Sequence, residues 1–276
     1  MSLDNFIPKV WSSRLLKQLD KNHVFVSLCN REYEGDIGSV GDTVKINSIG
    51  DITVNSYVKN STSISPETLS DAATFLEVDQ SNYFAFEVDD IDQAQQKPKV
   101  MQRAMDKAAI GLADEADSYI AGLYGDAGLS PSEEDWSSTI DVQSAAGKIK
   151  EYLWEQNVPT NAQIWWVVNP EIYHDALQDV VSDLSDNVQE FRSGAVGSIY
   201  GIDVYVSNNL TGDGTNGSEF QTMAGTMDAI AYVEQINKVE GYRPEDSFSD
   251  AVKGLHVYGA KVIRPEQLVS LPVQTS

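Results

Sequence analysis

One cysteine, three histidines and nineteen basic residues are what this 276-residue chain has little of. The single thiol, Cys29, excludes a disulfide within the chain and makes a reducing compartment the expectation. His23, His174 and His256 stand far apart without ligand spacing, which excludes a histidine-built zinc site and leaves each histidine an expected structural role. Lysine and arginine number 19 against 42 aspartates and glutamates, a formal net charge of −23. A protein that grips nucleic acid through its phosphates needs clustered cations, so that class is excluded. No run of about eighteen apolar residues occurs, so no helix is expected to span a membrane. The opening Met1-Ser2-Leu3-Asp4-Asn5-Phe6 lacks the basic-then-apolar order of a secretory signal, and synthesis in the cytosol is expected.

Chemistry is equally scarce. There is no G-x-S-x-G turn and no histidine placed to activate Cys29. The α-β-α alternation over residues 141–179 invites a nucleotide, but a phosphate cradle needs glycines between strand and helix, and the turn here is Asn169-Pro170-Glu171. Proline removes an amide donor and glutamate repels phosphate. Asp89, Asp90 and Asp92 form the densest acidic cluster, and such carboxylates can hold a hard cation or act as an acid/base pair. Just before a long helix, however, negative charge simply complements the N-terminal dipole. The loop Asp213-Gly214-Thr215-Asn216-Gly217 lacks calcium-loop spacing and its terminal glutamate. No catalytic, cofactor-binding or metal site is expected, and the chain is not expected to be an enzyme.

What the chain does have is a hydrophobic content of 41%, enough for a sizeable core, and one dominant helical signal from Pro98 to Tyr124. Met101, Met105, Ala108, Leu112, Ala116, Tyr119 and Leu123 are spaced 4, 3, 4, 4, 3 and 4, an eleven-residue repeat that matches a straight α-helix. Pro98 suits the first helical position, and Gly125 and Gly128 suit the end. A rod on the order of 40 Å follows. Its charges run against its dipole: Lys97, Lys99, Arg103 and Lys107 lie toward the start, Asp114, Glu115 and Asp117 toward the end. Either solvent or something outside the helix must answer them.

Ahead of the rod, residues 8–22 form a short amphipathic helix, and Phe6, Ile7 and Trp11 must pack on this chain or another. Strand patterns follow: 43–47 and 52–55 alternate, 59–71 is a polar loop, and Leu76, Val78, Phe84, Phe86 and Val88 share one face of the run 74–90. That run is about 55 Å if it is a single strand, which would make an arm leaving the body; the alternative is two strands split at Gln80-Ser81-Asn82. After a polar linker at 129–139, an amphipathic helix spans 141–156 and stops at Asn157-Val158-Pro159. The run 163–168 is apolar on both faces, as a central strand should be, and Asn169 then caps a helix beginning at Pro170. Further strands are expected at 203–207, 228–233 and 255–263. The expected class is α+β, one body on a mixed sheet over about 130–239 and a second part combining the long strand, the long helix and the C-terminus.

In this order, several stretches carry a family resemblance: Phe6-Ile7-Pro8-Lys9-Val10-Trp11, GDTVKINSIGDITV (41–54), KPKVMQRAMDKAAIGLADEADSYIAGL (97–123), YGIDVYVSNNL (200–210) and VKGLHVYGAKVIRP (252–265). Together they resemble the major capsid (coat) protein of tailed bacteriophages, a shell fold shared with encapsulins and the herpesvirus capsid floor. The resemblance implies a virion capsid built from hexamers and pentamers of one chain, enclosing double-stranded DNA without sequence-specific binding and assembled in the bacterial host cytoplasm. It implies an N-terminal arm (1–30), an extended β-hairpin loop (31–72), a peripheral domain with a spine helix (73–129), a mixed α/β axial domain (130–240) and a return to the peripheral domain (241–276). A portal, and a scaffolding protein made as a separate chain, are the further partners; no membrane is involved. The expected inter-subunit anchors are Phe6, Trp11, Lys59, Arg103 and Asp117. An encapsulin-like cargo compartment is the alternative within the fold, and a hydrolase using Asp89 and Asp92 the alternative outside it.

Overall fold

The computed structural model describes residues 24–33, 43–49, 71–89, 100–130, 142–174, 198–212, 219–246 and 249–273, together with 41, 56 and 59. Among the described residues, helices α1 (Val100–Ala121) and α2 (Val142–Glu155) pack on strands β1 (Thr43–Ile49), β2 (Asp71–Glu77), β3 (Gln80–Asp89), β4 (Ile164–Val168), β5 (Ser198–Ile199), β6 (Ile202–Val206), β7 (Phe220–Thr226), β8 (Ile230–Tyr242), β9 (Ser249–Val262) and β10 (Leu268–Val273). The strands form a five-stranded sheet in the order β10-β7-β4-β6-β5, a three-stranded sheet β3-β9-β8, and the hairpin β1-β2.

The five-stranded sheet is mixed: β4 runs parallel to β6, and its other pairings are antiparallel. Every residue of β4 is buried, as its two-faced apolar sequence requires. Ile164, Trp166 and Val168 pack against α2 through Ala145, Ala146, Ile149 and Leu153. Trp165 and Val167 point the other way, toward the end of α1 and residues 25–29. Asn157, at φ 61°, takes the left-handed conformation that ends α2, and the Val158 amide closes back on the Leu153 carbonyl at 3.0 Å. Asn169 caps the following turn, its Oδ1 accepting from the Ile172 amide at 2.8 Å.

α1 lies on one face of the antiparallel three-stranded sheet. Met105, Ala109 and Leu112 meet Val252, Phe84 and Phe86, and farther on Ala116, Ile120 and Ala121 meet Tyr232, Tyr258 and Val262. The buried stripe therefore runs through Ala109 and Ile120, rotated from the expected Ala108 and Tyr119, which are only partly buried. At 22 residues α1 is about 33 Å long, and the last expected turn tightens into a 3₁₀ helix over Gly122–Asp126. Lys97, Pro98 and Lys99 lie outside the described residues.

Three expectations are corrected. The run 74–90 is not one strand: pairing breaks at Val78-Asp79, with β2 joined to β1 and β3 joined to β9. Gly259 of β9 makes room for the crossing. A Cβ there would lie 2.4 Å from the Glu77 carbonyl oxygen, so only glycine lets the backbone cross at that point. The hairpin then lies over the sheet face opposite α1, packing Val44, Ile46 and Leu76 on Ala231, Val233 and Val257. Second, residues 230–242 belong to the three-stranded sheet rather than to the 130–240 body. Third, of the expected return over 241–276, β9 lies beside α1 as the strand expected at 255–263 should, but residues 268–273 go to the edge of the five-stranded sheet, where they pair with β7. Both strands are strongly apolar, and composition alone does not tell a chain which edge to join.

Candidate assembly surfaces

The acidic end of α1 meets the chain's own N-terminal segment. Phe25, Val26, Leu28 and Cys29 are buried against α1, β4 and β8. Asp117, only 2% exposed, accepts hydrogen bonds from the Val24 amide at 2.7 Å and the Val26 amide at 3.3 Å. Burial raises its carboxyl pKa to about 6, against the lowering pull of the Val24, Val26 and Phe25 amides; neighbouring Asp114 raises it further. Asp114 in turn accepts from Asn209 Nδ2 at 2.7 Å. Two of the charges that oppose the helix dipole, Asp114 and Asp117, are thus answered from within the subunit. This corrects Asp117 as an inter-subunit anchor: a carboxylate enclosed by its own chain's amides has no face left for a neighbour.

The segment continues onto the free edge of β8. Asn30 bridges Ala231 in parallel, donating to the Ile230 carbonyl at 2.8 Å and accepting from the Tyr232 amide at 3.0 Å. Arg31 then reaches Glu234, which lies among the aromatic side chains on the α1 side of the sheet. Glu234 Oε2 also accepts from the Tyr232 hydroxyl at 2.9 Å and contacts His256 Nε2 at 3.1 Å. His256 is fully buried, stacks on Tyr258 with centroids 5.0 Å apart, and leaves Nδ1 without a hydrogen-bond partner. Tyr258 receives a hydrogen bond from Asn82 Nδ2 at 3.0 Å and meets Tyr119 edge-on at 5.7 Å. Sequence reading missed this network, although the alternation carried it. Glu234 falls in step with Ile230 and Tyr232, an acid on an apolar face, and His256 falls in step with Tyr258.

The other sheet face is only half covered. Beyond the hairpin, Tyr83 is 79% exposed opposite Leu255, and Lys253 reaches both Glu240 at 3.4 Å and the Tyr242 ring at 5.2 Å. Tyr83, Leu255, Lys253 and Glu240 line an open groove with Gly254. A second exposed patch lies on the five-stranded body, where Lys150 sits 5.5 Å from the Trp154 ring and Tyr200 occupies a left-handed turn at φ 50°.

Of the remaining expected anchors, Arg103 is exposed on α1 and Lys59 is exposed at a turn. Phe6 and Trp11 lie outside the described residues, as do Asp90, Asp92 and the loop 213–217; Asp89 closes β3. Among the described residues no group of three or more His, Cys, Asp or Glu is placed to hold a metal ion, and no helix is long and apolar enough to cross a membrane.

Residues 72–271 match the model of a family described as phage capsid protein. A solved chain of Mycobacterium phage Che8 is 32% identical, with 90% of each chain covered and a TM-score of 0.72. The capsid structure of cyanophage P-SCSP1u is similar at 15% identity, covering 92% of this chain and 89% of that one, TM-score 0.71. A virus-like particle from Pyrococcus furiosus is 13% identical over 96% and 98% of the two chains, TM-score 0.58. No curated protein matches the sequence.

Proposed function

We propose how this chain works from the premise that it belongs to the phage capsid protein family. It is a structural, shell-forming subunit of a phage, self-assembling with other copies, and its place is the virion capsid. The observation that carries this is the family match across residues 72–271, joined to a shared fold over nine-tenths of the Che8 chain. We infer further that the copies form pentamers and hexamers around double-stranded DNA, that assembly takes place in the host cytoplasm, and that a portal and a separate scaffolding protein take part. Its role is mechanical rather than enzymatic.

The geometry supports this reading in two ways. The hairpin β1-β2 covers half of one sheet face and leaves Tyr83, Leu255 and Tyr242 available to another copy. Arg103 and Lys59 are both solvent-facing and remain, with Phe6 and Trp11, the proposed contacts between copies. The net charge of −23 suits a container whose inner wall must not adhere to the phosphates of its cargo.

The test is size-exclusion chromatography and electron microscopy of the expressed chain, alone and with scaffolding and portal proteins. Closed shells that package DNA are the expected result. A stable monomer in every condition would overturn the proposal, and closed shells that retain a cargo enzyme would favour an encapsulin-like compartment. Asp89→Asn and Asp92→Asn are expected to leave any such assembly without a lost turnover; loss of a hydrolytic activity would restore the enzyme alternative.

A further inference from the structure

The N-terminal segment is docked, not threaded. Its polar contacts with the rest of the subunit include the Asp117 carboxylate, a parallel bridge to β8 and an ion pair, and Phe25, Val26, Leu28 and Cys29 plug the core between α1, β4 and β8. Its hold on α1 is unusual in charge. The Asp117 carboxyl is enclosed by Val24, Phe25 and Val26, its hydrogen-bond donors are amides, and no cation is paired with it among the described residues. Among the described residues, the charged and titratable groups nearest it are Asp114 on its own helix and Cys29 and Arg31 on the segment; Arg31 is paired with Glu234, beside which stand Tyr232 and His256 on β8 and β9.

We propose that residues 24–31 are a proton-linked latch: the segment closes over α1 with uptake of a proton at Asp117, so it is held more tightly in mild acid than at neutral pH. The sign follows from what closure removes. With the segment away, Asp117 faces water and ionises as an ordinary aspartate; with it docked, the amide donors favour the carboxylate, but the loss of water at a side chain 2% exposed outweighs them and favours the acid. Whichever state binds the proton better is favoured by acid, and that is the docked one. The raised pKa of the docked carboxyl agrees in direction. Closure also covers the free edge of β8, which otherwise invites pairing with a foreign strand.

Cys29, the only cysteine in the chain, is a built-in reporter. It is 4% exposed, its Sγ donates to the Phe25 carbonyl oxygen at 3.2 Å, and burial pushes its thiol pKa well up, so it reacts only when the latch opens. In the full-length chain, Cys29 labelling by a dithiodipyridine reagent is measured from pH 5 to 7 and referenced at each pH to the urea-unfolded chain. Protection is expected to fall about tenfold over that range in the wild type, given a docked pKa near 6 and an ordinary value of 3.8, and to stay flat in Asp117→Asn. Equal slopes in the two proteins, or protection that rises with pH, would overturn the latch. If Asp117→Asn fails to fold, amide exchange in the wild type decides the matter after correction for intrinsic rates. Amides of 24–30 must lose protection from pH 5 to 7 and must open faster than those of Ile164–Val168. Exchange at one common rate would mean that the segment leaves only on global unfolding, and the latch would be rejected.

Discussion

The five-stranded sheet buries its central strand in hydrocarbon on both faces, whereas the three-stranded sheet carries a carboxylate and an imidazole on the side of its helix and receives a guanidinium from the N-terminal segment. Among the described residues, the first is covered by α2 on one face and by the end of α1 with residues 25–29 on the other, all through apolar contact. Trp166 stands on Ile149 and Leu153, and its Nε1 donates to Thr222 Oγ1 at 3.2 Å, which itself donates to the Leu271 carbonyl at 3.0 Å. The second is complete only when other segments arrive: α1 on one face, the hairpin on half of the other, and residues 24–31 on the edge. Apolar packing is tolerant of partners, but a buried Glu234 accepts only groups that hydrogen-bond it. The polar network therefore makes the docking of Arg31 specific, and the half-open face leaves surface for assembly.

This contrast can be broken from either side. Trp166→Ala is expected to be the most damaging, at about 3–5 kcal/mol by denaturant unfolding, since the side chain is wholly buried and α2 cannot collapse into the space. A loss below about 1 kcal/mol would mean the body is not the rigid half. Glu234→Ala is expected to cost on the order of 3 kcal/mol, because His256 and Tyr232 lose their acceptor inside the protein while Arg31, at 35% side-chain exposure, can turn to water. Amide exchange should show the loss first at residues 24–31, and a uniform loss across both sheets would erase the distinction. Gly259→Ala, which forces a Cβ against the Glu77 carbonyl, is expected to cost about 1–3 kcal/mol and to loosen β1 and β2 while β4 stays protected. Tyr83→Ser should be the mildest, within about 0.5 kcal/mol for the isolated subunit. Its effect should appear in shell formation, followed by light scattering; an unchanged assembly rate would show that the bare face is not used.

Much of the architecture was legible because local signals were strong. The eleven-residue repeat marked α1, the two-faced apolar run marked β4, and Asn157 and Asn169 marked the end of one helix and the start of the next. The family resemblance rested on the same stretches. Other features were written in the chain only as ambiguities. Alternation placed Leu76 and Phe84 on one face of one strand, yet the strand divides at Val78-Asp79, and the glycine that makes room for the crossing lies 180 residues away at Gly259. Asp117 read as an exposed charge in search of a partner chain; nothing near it in sequence says that the amides of Val24 and Val26 will enclose it.

By itself, then, the sequence determined the class of the protein, its long helix, its central strand and the absence of a recognisable catalytic motif, since these follow from periodicity, turn chemistry and composition. The tertiary structure decided which strand joins which edge, which acid is buried, and what covers the helix-facing side of the three-stranded sheet. Strand pairing and burial depend on backbone hydrogen bonds between segments up to two hundred residues apart, such as those joining Asn30 to Ile230 and Tyr232. Side-chain periodicity fixes which face a residue takes, not which neighbour arrives to cover it.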